Sequence, residues 1–136
     1  MKFNIEHSIP SSHFELDKFI VSYYDNNILR IKIKSDKLIT VEDLPNVLSY
    51  IDALDKGPFL NLFEFYEYAS VDDQIRNWAS DPSGNKRTIA DAIVIHGGLD
   101  QKILGDAYMN IHKPIKPTQV FDDVNKAVNW LLTFGE

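Results

Sequence analysis

The chain has 136 residues, and 44% of them are hydrophobic, which is enough to fill the core of one domain. It contains no cysteine, so disulfides, thiolate metal sites and a cysteine nucleophile are excluded. Twenty acidic residues against fourteen basic ones give a net charge of −6, and the basic residues are scattered along the chain. We therefore expect no nucleic-acid partner.

The longest apolar stretches, residues 59–65 and 90–95, are far shorter than the ~20 residues that a membrane-spanning helix needs. The N-terminus carries Glu6 and lacks an apolar run followed by a cleavage site, so it does not resemble a secretory signal. We expect a cytoplasmic protein with no membrane span that forms a single domain over residues 1–136.

Alternating apolar residues predict an antiparallel hairpin over residues 14–35, with a turn at Asp25-Asn26-Asn27. Arg30, Lys32 and Lys34 lie on the opposite face of the second strand. That pattern predicts that one side of the hairpin is wet or lightly covered.

Helices and strands alternate after the hairpin. Helical spacing of apolar residues predicts helices over about 41–55, from Ser70 onward, over 99–111 and over 124–132. Short apolar runs at 59–66, 90–95 and 118–121 predict strands. The expected order is β-β-α-β-α-β-α-β-α, an α/β fold with an N-terminal antiparallel hairpin and a mixed, mostly parallel sheet covered by helices.

The last third of the chain contains three runs of residues that form a pattern: Gly105-Asp106-Ala107-Tyr108-Met109-Asn110-Ile111-His112-Lys113-Pro114, Pro117-Thr118-x-x-Phe121 and Ala127-x-x-Trp130-Leu131. In these runs the chain is similar to a group of small stand-alone bacterial proteins described as STAS-like or SEC14-like. In that group the position after Gly105 is usually Asn, whereas this chain has Asp106. The element order also resembles the STAS domain, the SpoIIAA-like fold of bacterial anti-sigma factor antagonists.

Ser70 is a possible phosphoacceptor. STAS antagonists carry a phosphorylatable serine where a central strand passes into a helix, and the resemblance implies the same role for Ser70. However, Ala69 stands where the antagonist motif has Asp, and Asp72 and Asp73 would repel a phosphate. The alternative is that Ser70 is the N-cap of the following helix, in a capping box with Asp73.

A ligand or partner surface is expected at the carboxyl ends of the parallel strands, because ligands of α/β sheets collect there. Phe65, Tyr66 and Tyr68 close the first parallel strand, and His96-Gly97-Gly98 follows the next. These aromatic rings either line a pocket or a dimer surface, or pack in the core. The glycine pair either lets a ligand approach a helix N-terminus or simply forms a turn.

Lys113 and Lys116 lie beside Pro114 and Pro117 in a segment with two interpretations. The prolines either hold a rigid surface that presents both lysines to an acidic partner or a lipid head group, or they stop a helix and lead into a strand.

No metal or cofactor is expected, because the four histidines lack the His-x-x-x-His spacing and no phosphate-binding glycine motif is present. We expect a non-catalytic regulatory or interaction module with an unknown protein partner, and a homodimer is compatible with the aromatic content. The alternative is a carrier of a small apolar ligand or lipid. A sizeable apolar cavity favours the carrier, whereas a pocket that gathers His96 or an acidic residue with a perturbed pKa favours an enzyme.

Overall fold

A computed structural model describes residues 3–81, 87–112 and 114–134. The predicted site residue Lys113 lies outside these residues. Within them the helices are α1 (Leu44–Leu54), α2 (Asp73–Ser80), α3 (Leu99–Ala107) and α4 (Val124–Leu132). The strands are β1 (Ser12–Glu15), β2 (Phe19–Tyr23), β3 (Ile28–Ile33), β4 (Leu38–Ile39), β5 (Phe59–Phe65), β6 (Ser70–Val71), β7 (Thr88–Ile95) and β8 (Thr118–Phe121).

Six of these strands form one sheet in the order β1-β2-β3-β5-β7-β8. Among the first three, each strand is antiparallel to its neighbour, and β3, β5, β7 and β8 are parallel. The predicted class, a mostly parallel α/β sheet that begins with an antiparallel hairpin, is confirmed. None of the helices that the structure describes is long and apolar enough to span a membrane.

The two faces of the sheet are covered by different helices. One face, here called the back face, packs against α4 through residues that are almost completely buried. The other, here called the front face, is covered by α1, α2 and α3. Because successive side chains of a strand point to opposite faces, each strand supplies both layers. The back-face residues of the central strands and α4 are Leu60, Leu62, Ala90, Ala92, Val94, Ala127, Val128 and Leu131.

The start and end of α1 follow from local backbone chemistry. A 3-10 turn over Val41–Asp43 precedes the helix, and the Asp43 carboxylate accepts a hydrogen bond of 2.9 Å from the backbone N–H of Thr40. Pro45 lies in the first turn of the helix, where a backbone N–H has no helical acceptor, so its missing N–H costs no helical hydrogen bond. The helix therefore begins at Leu44, three residues later than predicted. Asp55 adopts the left-handed conformation that ends the helix, before the predicted stop at Gly57.

Ser70 does not cap a helix, so that prediction is wrong. It lies in β6, which pairs with β4, and its backbone N–H donates to the carbonyl of Lys37 at 3.0 Å. The N-cap of α2 is Asp72, whose carboxylate accepts from the N–H of Ile75 at 2.9 Å. The strands β4 and β6 are too short to show apolar alternation in the sequence. Because Ser70 belongs to β6, the N-cap of α2 lies at Asp72, two residues later than predicted.

The prediction that the basic face of the hairpin is wet is wrong for Arg30. Its side chain is almost completely buried on the back face of β3, where the carboxylate of Glu64 on the neighbouring strand accepts from its Nε. A second hydrogen bond of 2.8 Å joins Arg30 Nη2 to Glu6 Oε1. Glu64 is 34 residues away from Arg30 in the chain, so the alternation of apolar residues alone could not reveal this pair.

Candidate functional site

A cavity of about 540 Å³ lies between the front face of the sheet and helices α1, α2 and α3. Its volume is within the ~300–1,000 Å³ of typical small-molecule sites. The walls are mainly apolar, because α1 presents side chains at helical spacing and the strands present every second residue. Representative lining residues are Ile31, Ile33, Phe63 and Ile93 of the sheet and Val47 and Ile75 of the helices.

Such a volume is unusual in a domain of this size, because protein interiors contain few voids larger than a water molecule. A closed, dry void of 540 Å³ would cost roughly 13 kcal/mol, at ~24 cal/mol per Å³, as much as the whole stability of many domains. The cavity is instead open. Leu48 of α1 and Leu104 of α3 line it and are 37% and 42% exposed, so they mark where it meets the solvent.

One end of the cavity is polar. Asn61 of β5 and Asp91 of β7 are register partners on the front face, and the Asn61 Nδ2 donates to Asp91 Oδ1 at 3.0 Å. The same Nδ2 donates to Thr88 Oγ1 at 3.0 Å. Lys116 comes from the segment before β8 and places its Nζ 3.0 Å from Asp91 Oδ2. Both oxygens of the Asp91 carboxylate are therefore engaged.

Burial determines the electrostatics of this polar end. It raises the pKa of Asp91, although the charge of Lys116 and the hydrogen bonds from Asn61 and Lys116 oppose that shift. Burial also raises the pKa of Tyr108, and the charge of Asp91 adds to this increase. Tyr108 therefore remains a phenol at neutral pH. Asn61 is only 8% exposed, and its Oδ1 accepts a hydrogen bond from none of the residues in the described part of the chain.

A family model described as a domain of unknown function (DUF7793) matches residues 22–135, which include every residue that lines the cavity except Phe19 of β2. The chain belongs to this family. No curated protein and no solved structure matches it. The cavity of this DUF7793 domain therefore has to be interpreted from its own residues.

Three of the predicted site residues reach the cavity. Phe65, at the end of β5, and Ser70, in β6, contribute to one part of its wall, and Lys116 contributes to the polar end. Tyr68 lies outside the cavity and is 67% exposed, with a positive φ of 62°. The carboxyl ends of the strands thus form one end of the DUF7793 cavity, and the cluster of Asn61, Asp91 and Lys116 lies at the other.

Tyr66 and His96 come together as a stacked pair and do not line the cavity. Their ring centroids are 4.5 Å apart with an interplanar angle of 8°. His96 Nε2 lies 3.1 Å from Glu64 Oε1, and Glu64 is only 1% exposed. Burial, reinforced by the charge of Glu64, raises the pKa of Tyr66. His96 is therefore attached to the buried Glu64–Arg30 pair of the back face.

Gly97 and Gly98 form the turn that enters α3. The N–H of Gly97 donates to Gln101 Oε1 at 2.7 Å, and a Cβ at Gly97 would lie 2.6 Å from Gln101 Cδ. Gln101 Nε2 in turn donates to the carbonyls of Tyr66 and Ala69, at 2.6 and 3.0 Å. Gly98 has a φ of +81°, a conformation that L side chains rarely adopt. The glycine pair and Gln101 together attach α3 to the end of β5.

Of the two interpretations of the segment that contains Lys116, the one in which this lysine is displayed on the surface is wrong. Its side chain is 7% exposed, because it pairs with Asp91 and its Nζ also donates to the backbone carbonyl of Ala79 at 2.8 Å. In the segments that the structure describes, no three histidine or acidic side chains are grouped as a metal site would require.

Asn61 and Asp91 were missed by the sequence reasoning, although the sequence contains a signal for them. Each is a polar residue within an otherwise apolar strand, in Phe59-Leu60-Asn61-Leu62 and Ala90-Asp91-Ala92-Ile93. A polar side chain inside a buried strand needs a partner, and two such strands side by side predict that the two residues meet.

Proposed function

We propose that this DUF7793 domain binds a small molecule with a largely apolar body in the front-face cavity and acts as its carrier. The observation that carries the proposal is the 540 Å³ cavity with apolar walls. An apolar surface of this kind gains free energy when a ligand displaces water from it. The similarity of the last third of the chain to SEC14-like proteins supports the same interpretation.

We propose no catalytic role for the domain, although the cavity contains an acidic residue with a perturbed pKa. Asp91 meets that criterion for an enzyme, but its two carboxylate oxygens are occupied by Asn61 and Lys116. A general base needs an oxygen within reach of the proton that it abstracts. The raised pKa is accounted for by burial, which structural ion pairs also experience.

The test is binding of the neutral apolar dye Nile red, followed by its fluorescence, to the wild type and two variants. Ile93→Trp places an indole in the middle of the cavity wall, and we expect it to weaken dye binding at least tenfold. Ile9→Trp makes the same change at a position that is 92% exposed and serves as the matched control. Its dye affinity should equal that of the wild type.

A thermal melt of Ile93→Trp separates a filled cavity from an unfolded chain. The indole fills space, so we expect the midpoint to stay the same or rise. If the wild type does not bind the dye, or if Ile93→Trp binds it as well as Ile9→Trp does, the carrier proposal is wrong.

A STAS-like regulatory or interaction role is the second candidate. It is favoured by apolar residues that the fold leaves exposed near β4 and β6, namely Leu38 at 48% and Tyr68 at 67%. A second copy of the chain is the simplest partner for such a surface. Sedimentation of the wild type and of the double variant Leu38→Ser/Tyr68→Ser tests this: a dimer that the variant loses supports the second candidate, and a monomeric wild type opposes it.

A further inference from the structure

The polar end of the cavity indicates which class of apolar molecule the cavity accepts. We propose that the ligand is a neutral amphiphile with a hydroxyl head group, which donates a hydrogen bond to Asn61 Oδ1 while its hydrocarbon tail lies along the front face toward Phe65. This inference rests on the proposed function, because it assigns a ligand class to the same cavity.

The hydrogen-bond pattern of Asn61 shows which group is missing. Both hydrogens of its amide nitrogen have acceptors, at Thr88 Oγ1 and Asp91 Oδ1, so the orientation of the amide is fixed. Its oxygen belongs to a residue of the cavity wall and accepts from no described residue. It is shielded from any water-sized group, so a hydroxyl group reaches it once a neighbouring side chain moves aside. A buried acceptor without a donor is costly, and an O–H group at this position would satisfy it.

The charges that line the cavity are paired, which favours a neutral head group. Arg87 pairs with Asp52, and Arg76 pairs with Asp73. A carboxylate carries no hydrogen for Asn61 Oδ1 and would lie beside the carboxylate of Asp91. Lys116 offers such an anion little, because its ammonium already pairs with Asp91 Oδ2 and donates to the carbonyl of Ala79. A cationic head would lie beside the Lys116 ammonium. A hydroxyl group donates to Asn61 and adds no charge to a buried site.

The strands fix the direction of the ligand. Asn61 lies near the start of β5, and Phe65 ends the same strand on the same face. Four residues of extended strand separate the two side chains by roughly 13 Å, which leaves room for a hydrocarbon tail. The head group is therefore at the amino ends of the parallel strands, opposite to the edge where α/β sheets usually bind ligands.

Displacement of Nile red from the wild-type chain at neutral pH, by three molecules with the same hydrocarbon tail, tests the head group. Decanol supplies an O–H donor, decyl methyl ether keeps the oxygen without its hydrogen, and decanoate carries a negative charge. We expect decanol to bind roughly tenfold more tightly than the ether, as one hydrogen bond to a buried acceptor implies. Decanoate should also bind more weakly than decanol.

The variant Asn61→Leu assigns the preference to this residue. It removes the acceptor at similar size, and it is combined with Asp91→Leu because the loss of the amide frees Asp91 Oδ1 for the same hydroxyl group. Decanol and decyl methyl ether should bind this double variant equally. Asn125→Leu makes the same change at an exposed position of α4 and should keep the tenfold ratio. If the double variant does not fold, the three-ligand series on the wild type decides alone.

The failures are distinguishable. If decanol and the ether bind the wild type with equal affinity, or decanoate binds best, the head-group inference is overturned and the carrier proposal stands. If none of the three displaces the dye, the inference is also overturned, and the carrier proposal is judged by the Ile93→Trp comparison.

Discussion

The two faces of the central sheet are built from the same strands and are packed in opposite ways. From Leu62 onward β5 alternates between back-face residues that are buried and front-face residues that are partly exposed, and β7 repeats this pattern from Ala92. Apolar side chains occupy both faces. The difference therefore arises from how the helices cover them: α4 closes the back face, while α1, α2 and α3 leave a cavity above the front face.

The buried charges of the two faces differ in the same way. On the back face Glu64 accepts from Arg30 and approaches His96, and Arg30 also bonds to Glu6. On the front face the Asp91–Lys116 pair is accompanied by an acceptor, Asn61 Oδ1, that no described residue satisfies. The complete network is typical of a structural role, and the incomplete one indicates a place for a ligand.

The largest expected effect comes from breaking each buried pair. Glu64→Leu leaves a buried guanidinium that cannot lose its proton, so we expect it to lower the free energy of unfolding by roughly 3–5 kcal/mol. Asp91→Leu should cost less, because burial raises the pKa of Asp91: the stability that this carboxyl group contributes is greatest below its usual pKa of 3.8 and falls as the pH rises through the raised pKa. Urea denaturation at two pH values measures both.

Asp17→Leu is the control for these two variants, because Asp17 is exposed and should change stability by less than ~0.5 kcal/mol. Equal and pH-independent losses for Glu64→Leu and Asp91→Leu would contradict the distinction between the two faces.

The next effect compares apolar truncations on the two faces. Leu62→Ala creates a hole in the closed back face and should cost about 3 kcal/mol. Ile93→Ala only enlarges a cavity that is already open, so it should cost about 1 kcal/mol. Chemical denaturation of the two variants without added ligand measures the difference. A loss at Ile93 as large as that at Leu62 would show that the front face is as tightly packed as the back.

A smaller effect tests how α3 is held above the cavity. Gly97→Ala brings a methyl group against the Gln101 side chain, which bonds α3 to the end of β5, and should cost about 1–2 kcal/mol. Gly98→Ala meets no atom within 4 Å, so its cost of about 1 kcal/mol arises from the positive φ alone.

Thermal unfolding of each glycine variant alone and combined with Gln101→Ala separates these causes. The loss of stability in the double variant Gly97→Ala/Gln101→Ala should be smaller than the sum of the two single losses. For Gly98→Ala/Gln101→Ala the loss should equal that sum. Additivity at both positions would exclude the steric explanation for Gly97.

The sequence predicts much of the sheet and little of the site. Alternation and helical spacing are local, so β2, β3, β5, β7 and β8 and the four helices could be read from them. β1 could not, because Ser12, His13 and Glu15 leave Phe14 as its only apolar residue. The cavity could not be predicted either, since alternation tells which residues face a helix and not how far away that helix lies.

Two charged residues show why the site needed the fold. Arg30 and Lys116 have the local sequence context of surface cations. Each is buried because a carboxylate from a neighbouring strand, Glu64 or Asp91, stands opposite it. Such pairs depend on strand order and register, which the local sequence does not contain.

The smallest expected effect lies where α1 is held over the front face. Lys18 Nζ lies 2.8 Å from Asp43 Oδ2 in a partly exposed salt bridge. Burial on its own raises the pKa of Asp43, but hydrogen bonds from Lys18 and Thr40 outweigh it, so the pKa lies below its usual value of 3.8. The bridge then stabilises the fold above about pH 4, and this contribution is lost as the pH falls through the lowered pKa.

Asp43→Asn should therefore cost less than ~1 kcal/mol at neutral pH, because solvent screens an exposed pair. The difference from the wild type should shrink as the pH falls below the lowered pKa of Asp43. Urea denaturation from pH 7 to pH 2.5 measures it, and Asp17→Asn, at a carboxylate 4.0 Å from Lys37, is the matched control. A loss at neutral pH comparable to that of Glu64→Leu would mean that α1 is fixed by this bridge more firmly than the open front face implies.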